Sequence, residues 1–494
     1  MPDSDLHLTA RPRQPPLSPP EGARGPLARG RRIISLEVLL MLTLIAAPSS
    51  GRPLPAAGPL RVCADNPRYF ADATGKAVYL TGAHTWPDLK DMGPADPPPP
   101  FAYEAFLSWL VAHHHNFIRL WTWELTTYQY QDERLNHAAP FPWPRTGPGA
   151  ALDGKPKFDL SRFDQSYFDR LRRRAVAAGE SGIYVAVMLF EGHGVQCSLP
   201  PWRWDGHPFN TANNINGVDG DPDGDGLGTE VHTLAVPAVT RIQEAYLRKV
   251  VDTVNDLDNV LYEISNEAGP YSTEWQYHMI RLLKDYEAAK PKQHPVGMTF
   301  QYQGGANQAL FDSPADWISP NPEGGYTDDP PAADGRKVIV SDTDHLWGIG
   351  GSQACVWKTF SRGLNPAFMD PYLTDDWCGE GLRQPDPKWE PIRRSLGYTR
   401  RFAQRMDLNR ARPAGDLAST GYCLADPGRE YLVYLPEGGS VSVDLSAAAQ
   451  LTVEWFDPTR GASTGAGPVT GGERRTFTAP FTGDAVLYLR RPQA

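Results

Sequence analysis

The sequence predicts an α/β protein: a (β/α)8 TIM barrel followed by a small all-β antiparallel sandwich. Three observations carry this. Short, almost wholly apolar runs of strand formers alternate with amphipathic helical stretches between residues 77 and 406, the order of a parallel sheet buried on both faces. Roughly eight such strands fit the size of one barrel. After the helix 392–406 the helical period stops, and short alternating runs punctuated by glycine take over, as in a sandwich.

The first 55 residues read as a removable leader. Arg31-Arg32 precede the apolar run 33–47, which Glu37 interrupts, and Pro48-Ser49-Ser50-Gly51 follows. The run is short for a membrane span. The expectation is an exported protein, periplasmic, extracellular or at the cell surface, with no stable membrane span after processing. Residues 60–410 read as the barrel and 414–494 as the sandwich.

Ala77-Val78-Tyr79-Leu80-Thr81-Gly82 reads as barrel strand one, with His84-Thr85-Trp86 after it. A helix over 103–115 leads to strand two, Phe117-Ile118-Arg119-Leu120-Trp121. The helix 163–178 ends at Gly179 and Gly182, and strand three runs over 183–190. Pro237 opens the next helix, where its missing N–H is not needed. Val239, Ile242, Tyr246, Val250 and Val254 then recur near helical spacing. Strand four is Val260-Leu261-Tyr262-Glu263-Ile264-Ser265, ending in Asn266-Glu267. The helix 274–289 precedes strand five, Val296-Gly297-Met298-Thr299-Phe300. Trp317-Ile318-Ser319, 337–342 and Ala367-Phe368-Met369-Asp370 complete the barrel. In the sandwich the strands are 431–435, 441–445, 451–456, 475–477 and 485–489.

A barrel keeps its chemistry at the C-terminal mouths of its strands. Glu267 lies at one mouth. Strand seven runs into Ser341-Asp342-Thr343-Asp344-His345, which offers two more acids near a strand mouth. Strand alternation would put Asp342 and Asp344 on one face and Thr343 on the other. Asp342 is the first choice and Asp344 the reserve. Arg119 sits in a run too apolar for a surface arginine. His84, Trp86, Trp121, Trp123, Glu124, Glu191, His193, Tyr302 and Trp347 follow strands one, two, three, five and seven and are candidates to line a pocket. His113-His114-His115 is read as structural.

Asp219-Gly220-Asp221-Pro222-Asp223-Gly224-Asp225-Gly226 matches the start of a calcium loop, in which short acids wrap a hard cation. Position twelve from Asp221 is His232 and not the Glu of an EF-hand, so a structural calcium held by Asp219, Asp221, Asp223 and Asp225 and a solvated loop both stay open. No cofactor is required otherwise. The net charge of −10 and pI near 5.7 argue against nucleic acid as a partner. Five cysteines are too few for a disulfide scaffold, although Cys355 and Cys378 are placed to pair across a loop.

The runs Tyr79-Leu80-Thr81-Gly82-Ala83-His84-Thr85-Trp86, Phe117-Ile118-Arg119-Leu120-Trp121 and Ile264-Ser265-Asn266-Glu267 together resemble the apiosidase-like (DUF4038-type) glycoside hydrolases. The tail, Val453-Glu454-Trp455-Phe456-Asp457-Pro458 and Val486-Leu487-Tyr488-Leu489, is similar to the small sandwich labelled collagen-binding that often ends such proteins. The resemblance covers about residues 60–490. It implies an exported hydrolase of O-glycosidic bonds in a plant or microbial polysaccharide or oligosaccharide. Glu267 would be the acid/base, Asn266 the ligand of the sugar 2-hydroxyl, and Arg119 a partner of the nucleophile. A retaining mechanism with two carboxylates about 5 Å apart is implied. The family pattern has Glu at strand seven. With the shorter Asp, either the backbone comes closer or the gap is wider and a water fits, and in the second case the enzyme would invert. A non-catalytic glycan-binding or adhesion protein on the same scaffold is the alternative.

Overall fold

The computed structural model describes residues 55–130, 134–372 and 385–492, all within one compact unit, Arg52–Ala494. The leader and Cys378 lie outside the described residues. Eight strands form the central sheet: β1 (Gly82–His84), β2 (Phe117–Leu120), β3 (Tyr184–Glu191), β4 (Val260–Asn266), β5 (Val296–Thr299), β6 (Trp317–Ser319), β7 (Val338–Asp342) and β8 (Asn365–Met369). Their order is β1-β8-β7-β6-β5-β4-β3-β2, every neighbouring pair is parallel, and the sheet forms a nearly closed TIM barrel.

The seam lies between β1 and β2. There the Asn116 N–H donates to the Thr81 carbonyl at 2.9 Å, and its Oδ1 accepts from the Thr81 N–H at 3.0 Å. A Cβ on Gly82 would fall 2.1 Å from the Phe117 carbonyl oxygen, so glycine lets the two backbones meet.

Helices that flank the strands are α1 (Tyr103–Ala112), α2 (Gln165–Glu180), α3 (Pro237–Val254), α4 (Thr273–Ala288), α5 (Asn307–Asp312), α6 (Thr343–Trp347), α7 (Gln353–Ser361) and α8 (Glu390–Arg405), with two shorter ones at His193–Cys197 and Trp202–Asp205 between α2 and α3. On α3, Val239, Tyr246, Leu247, Val250, Val251 and Val254 are buried, one stripe at helical period. Asp164 caps α2 by accepting from the Ser166 N–H.

The barrel interior changes character along its axis. Leu80, Phe117, Tyr184, Leu261, Val338 and Val340 fill the N-terminal half, with Leu60 and Phe70 against them. Two residues further along the same strands the side chains are Arg119, Glu263 and Asp342, all fully buried. Strand period two keeps them on the inner face, so the charged layer begins where the apolar plug ends.

Three expectations need correction. Residues 77–82 do not form one barrel strand. Ala77–Val78 belong to a small antiparallel sheet with 61–62 and 70–71, and β1 starts at Gly82 because its ladder to β8 pairs Gly82 with Ala367. Strand seven stops at Asp342, and Asp344 lies in α6, so alternation does not relate the two acids. The stretch between β2 and α2 carries short antiparallel strands at 127–128, 136–139, 145–150 and 156–158 that the sequence reading left out.

The C-terminal part is all antiparallel. Its strands are β9 (Arg412–Pro413), β10 (Cys423–Asp426), β11 (Glu430–Leu435), β12 (Ser440–Asp444), β13 (Gln450–Asp457), β14 (Ala462–Thr470), β15 (Arg474–Thr478) and β16 (Ala485–Arg490). Six form one sheet in the order β9-β10-β11-β16-β13-β14, and β12 pairs with β15. Tyr431, Val433, Val441, Val443, Trp455 and Leu487 fill the space between the sheets. The other face of the large sheet, through Leu432, Tyr434, Phe456 and Tyr488, packs on Trp357 of α7 and Tyr398 and Phe402 of α8.

Candidate active site

The C-terminal mouth of the barrel holds a cavity of about 560 Å³. Trp86, Trp121, Trp123, His193, Tyr302 and Trp347, candidates from the sequence to line a pocket, lie on its wall together with Asn266, Glu267 and Asp344, and Trp347 is 38% exposed at the rim. Tyr128, Tyr130, Phe300 and His345 also line it. Sequence reasoning did not select them. Phe300 and His345 sat inside runs already singled out, but both lie beyond the ends of β5 and β7, where strand alternation gives no signal.

Glu267 begins the turn after β4. Its φ of +51° is left-handed, a region a non-glycine residue rarely adopts. The turn is held from β3, where the Gly192 N–H donates to the Asn266 carbonyl at 2.8 Å and Gln196 Nε2 donates to the Glu267 carbonyl at 2.6 Å. Burial, then Asp344 and Glu191, push the Glu267 carboxyl well above the usual range. His193 Nε2 lies 4.0 Å from Glu267 Oε2, and His193 Nδ1 is 3.0 Å from the Tyr128 hydroxyl. Burial lowers His193 to about 4, so it adds no positive charge there.

Asp344 stands opposite. One carboxylate oxygen each from Glu267 and Asp344 and a ring nitrogen of His345 all lie within 4.8 Å of one another. Both His345 nitrogens are engaged, Nδ1 with Ser319 Oγ at 2.6 Å and Nε2 with Asn266 Oδ1 at 3.2 Å, which leaves neither free for a metal.

Arg119 organises the acids from below. Its Nε and Nη2 donate to Glu263 at 2.8 and 2.6 Å. Nη1 donates to Asp344 at 2.8 Å and to Asp342 at 3.2 Å, and Nη2 also reaches Asn266 Oδ1 at 2.5 Å. Burial raises Asp344 to about 6 despite Arg119, with the charge of Asp342 adding to the rise. Asp342 behaves oppositely. Burial works against its ionisation, but His84, bonded at 2.8 Å, and Arg119 hold it far below the usual carboxylate range. Asn266 lines the cavity, and its Nδ2 is buried without a partner among the described residues.

The geometry changes several expectations. Asp342 is fully buried beneath the wall and caps α6 through the Asp344 N–H at 3.0 Å, whereas Asp344 reaches the cavity. Of the two, Asp344 is the one on the cavity wall. His84, Glu124 and Glu191 were expected to line the pocket, but none does, while Arg119, expected as a partner of the nucleophile, bonds both Asp342 and Asp344 without lining the cavity. His84 supports Asp342. Glu124 accepts from His232 Nε2 at 2.6 Å. Glu191 accepts the Gly194 N–H, and burial raises it to about 8. Glu263, whose role the sequence did not reveal, anchors Arg119.

Away from the mouth, Asp221, Asp223 and Glu230 bring one oxygen each within 4.8 Å. Asp219 and Asp225, expected in the same set, accept the N–H groups of Asp221 and Leu227, and neither is a member of this trio.

Residues 135–303 match the family model "Domain of unknown function (DUF6298)", and residues 415–490 match "Putative collagen-binding domain of a collagenase". No curated protein matches the chain. Among solved structures, one titled glycoside hydrolase shares 13% identity, covers 88% of this chain and 97% of its own, and has a TM-score of 0.58. A family 5 glycoside hydrolase from Bacteroides vulgatus shares 13% identity, covers 88% and 92%, and also scores 0.58. At that identity the likeness is one of fold: a TIM barrel with an all-β C-terminal part.

Proposed function

We propose that the chain is a retaining glycoside hydrolase. The observation that carries the reading is the pair Glu267 and Asp344, with oxygens within 4.8 Å on the wall of an aromatic cavity. Retaining enzymes hold their carboxyls about 5–5.5 Å apart, and inverting ones about 6.5–9.5 Å. The fold shared with proteins titled glycoside hydrolases supports the same class. Asp344 attacks the anomeric carbon as the glycosidic bond breaks, and Glu267 gives its proton to the leaving oxygen. Once Asp344 is esterified its charge is gone, and the pKa of Glu267 falls. Glu267 then takes a proton from the water that releases the sugar. Asn266 Nδ2 suits a hydroxyl next to the anomeric carbon, and Trp123, Tyr302 and Trp347 supply faces for sugar rings.

The substrate class is a plant or microbial polysaccharide or oligosaccharide, and the apiosidase-like resemblance is its finer form. Export rests on the form of the first 55 residues. A panel of aryl glycosides and plant polysaccharides, run with wild type and Glu267→Gln, tests the reading. Hydrolysis by wild type that Glu267→Gln loses on poor leaving groups is expected. No hydrolysis by wild type, with glycan binding retained, would favour the binding-protein alternative.

A further inference from the structure

The loop between β3 and α3 carries a second cluster of acids, remote in sequence from both strand-end carboxylates. Asp221 is 8% exposed. Its Oδ2 accepts the Gly226 N–H at 3.0 Å, but its Oδ1 is buried with no partner among the described residues. Glu230 Oε2 is buried and unpartnered in the same way. Burying an ionised oxygen without a donor is unfavourable, and two such oxygens side by side also repel. One ligand chemistry resolves all of this at once: a hard divalent cation.

We propose that Asp221, Asp223 and Glu230 bind a calcium ion. Calcium takes oxygens at about 2.3–2.6 Å, so two oxygens on one ion lie no more than about 5 Å apart. The three carboxylates meet that limit, with one oxygen each within 4.8 Å of the others. Glu230 stands at position ten from Asp221, so the loop is not an EF-hand. Chain curvature brings the Glu in two residues early. Gly228 has a φ of +64°, and a Cβ there would strike the Trp204 ring at 2.1 Å, so the loop is folded tightly over that indole. The ion's role follows from the neighbouring residue. Glu230 lies in the 3-10 turn Thr229–His232, and His232 donates to Glu124, directly after Trp123 of the cavity wall. Calcium thus clamps the loop that backs one wall of the cavity, without touching the reacting groups.

The test uses the full mature chain, stripped with EDTA and titrated with calcium alone, and then with terbium as a luminescent stand-in. Expected results are one calcium per chain, a melting temperature raised by several degrees, and terbium emission sensitised by tryptophan that falls in Trp204→Phe. Asp223→Asn and Glu230→Gln should each weaken calcium binding about tenfold or more, since affinity follows ligand charge. Asp223 is exposed, so its variant tests the site without disturbing packing. An unchanged melting temperature with and without calcium, or wild-type binding in both variants, would overturn the proposal. Binding lost instead in Glu267→Gln would also overturn it, because the ion would then sit at the barrel mouth.

Discussion

Asp342→Asn separates the two strand-seven acids in function. Asp342 and Asp344 both bond Arg119 Nη1, at 3.2 and 2.8 Å, so those oxygens are at most about 6 Å apart. Two like charges at about 6 Å and an effective dielectric of about 20 repel by roughly 2.8 kcal/mol. That is about two pKa units, and the shared guanidinium screens part of it, which leaves about one to two units. Asp344 stands at about 6 with Asp342 charged. Removing that charge favours the ionised form of Asp344, so its pKa falls. A nucleophile works when ionised, so the acidic limb of kcat/KM reports it in the free enzyme. The expected outcome is an acidic limb displaced to lower pH by about one to two units, with turnover retained above it and a basic limb still set by Glu267. The assay is the pH profile of kcat/KM on an accepted aryl glycoside. Near-complete loss of turnover at every pH, restored by azide in Asp342→Ala, would refute the reasoning and make Asp342 the nucleophile.

Other expectations follow from the same contacts. Glu267→Gln should lower turnover of natural glycans by about 10²–10⁴-fold and affect activated aryl glycosides less in the first step, which a leaving-group series measures. Glu263→Ala leaves the buried Arg119 without its two-point partner and should destabilise the fold by about 3–5 kcal/mol, read by urea denaturation. A chain cut after Arg412 exposes Trp357, Tyr398 and Phe402, which the sandwich covers. At about 1.5–3 kcal/mol for each large apolar side chain uncovered, it should melt lower or aggregate. A truncated chain as stable as the full one would show that the packing contributes little.

The sequence made the barrel legible because strands buried on both faces are apolar throughout, and amphipathic helices separate them. Glu267 was legible for the same reason, as a carboxylate at the end of such a run. Strand seven was harder. Alternation holds only while the chain stays extended, and at Asp342 the side chain turns back to cap α6, so Asp344 reaches the cavity by a helical turn. Arg119 was recognisable as a buried cation, but its partner Glu263 was hidden among apolar strand residues. His84 and Glu191 face inward yet stop short of the cavity, a difference of depth that no residue pattern encodes. The short strands between 127 and 158 escaped notice because each is brief, and those at 145–150 and 156–158 contain proline, which reads against a strand.

The central claim is that Asp344 and Glu267 form a retaining pair, and azide rescue tests it most directly. Asp344→Ala is assayed with an accepted aryl glycoside, with and without azide, and the configuration of the product is read by NMR. The account predicts restored turnover with azide and a glycosyl azide of inverted configuration. Rescue of Asp342→Ala in place of Asp344→Ala, or a first wild-type product of inverted configuration, would contradict it.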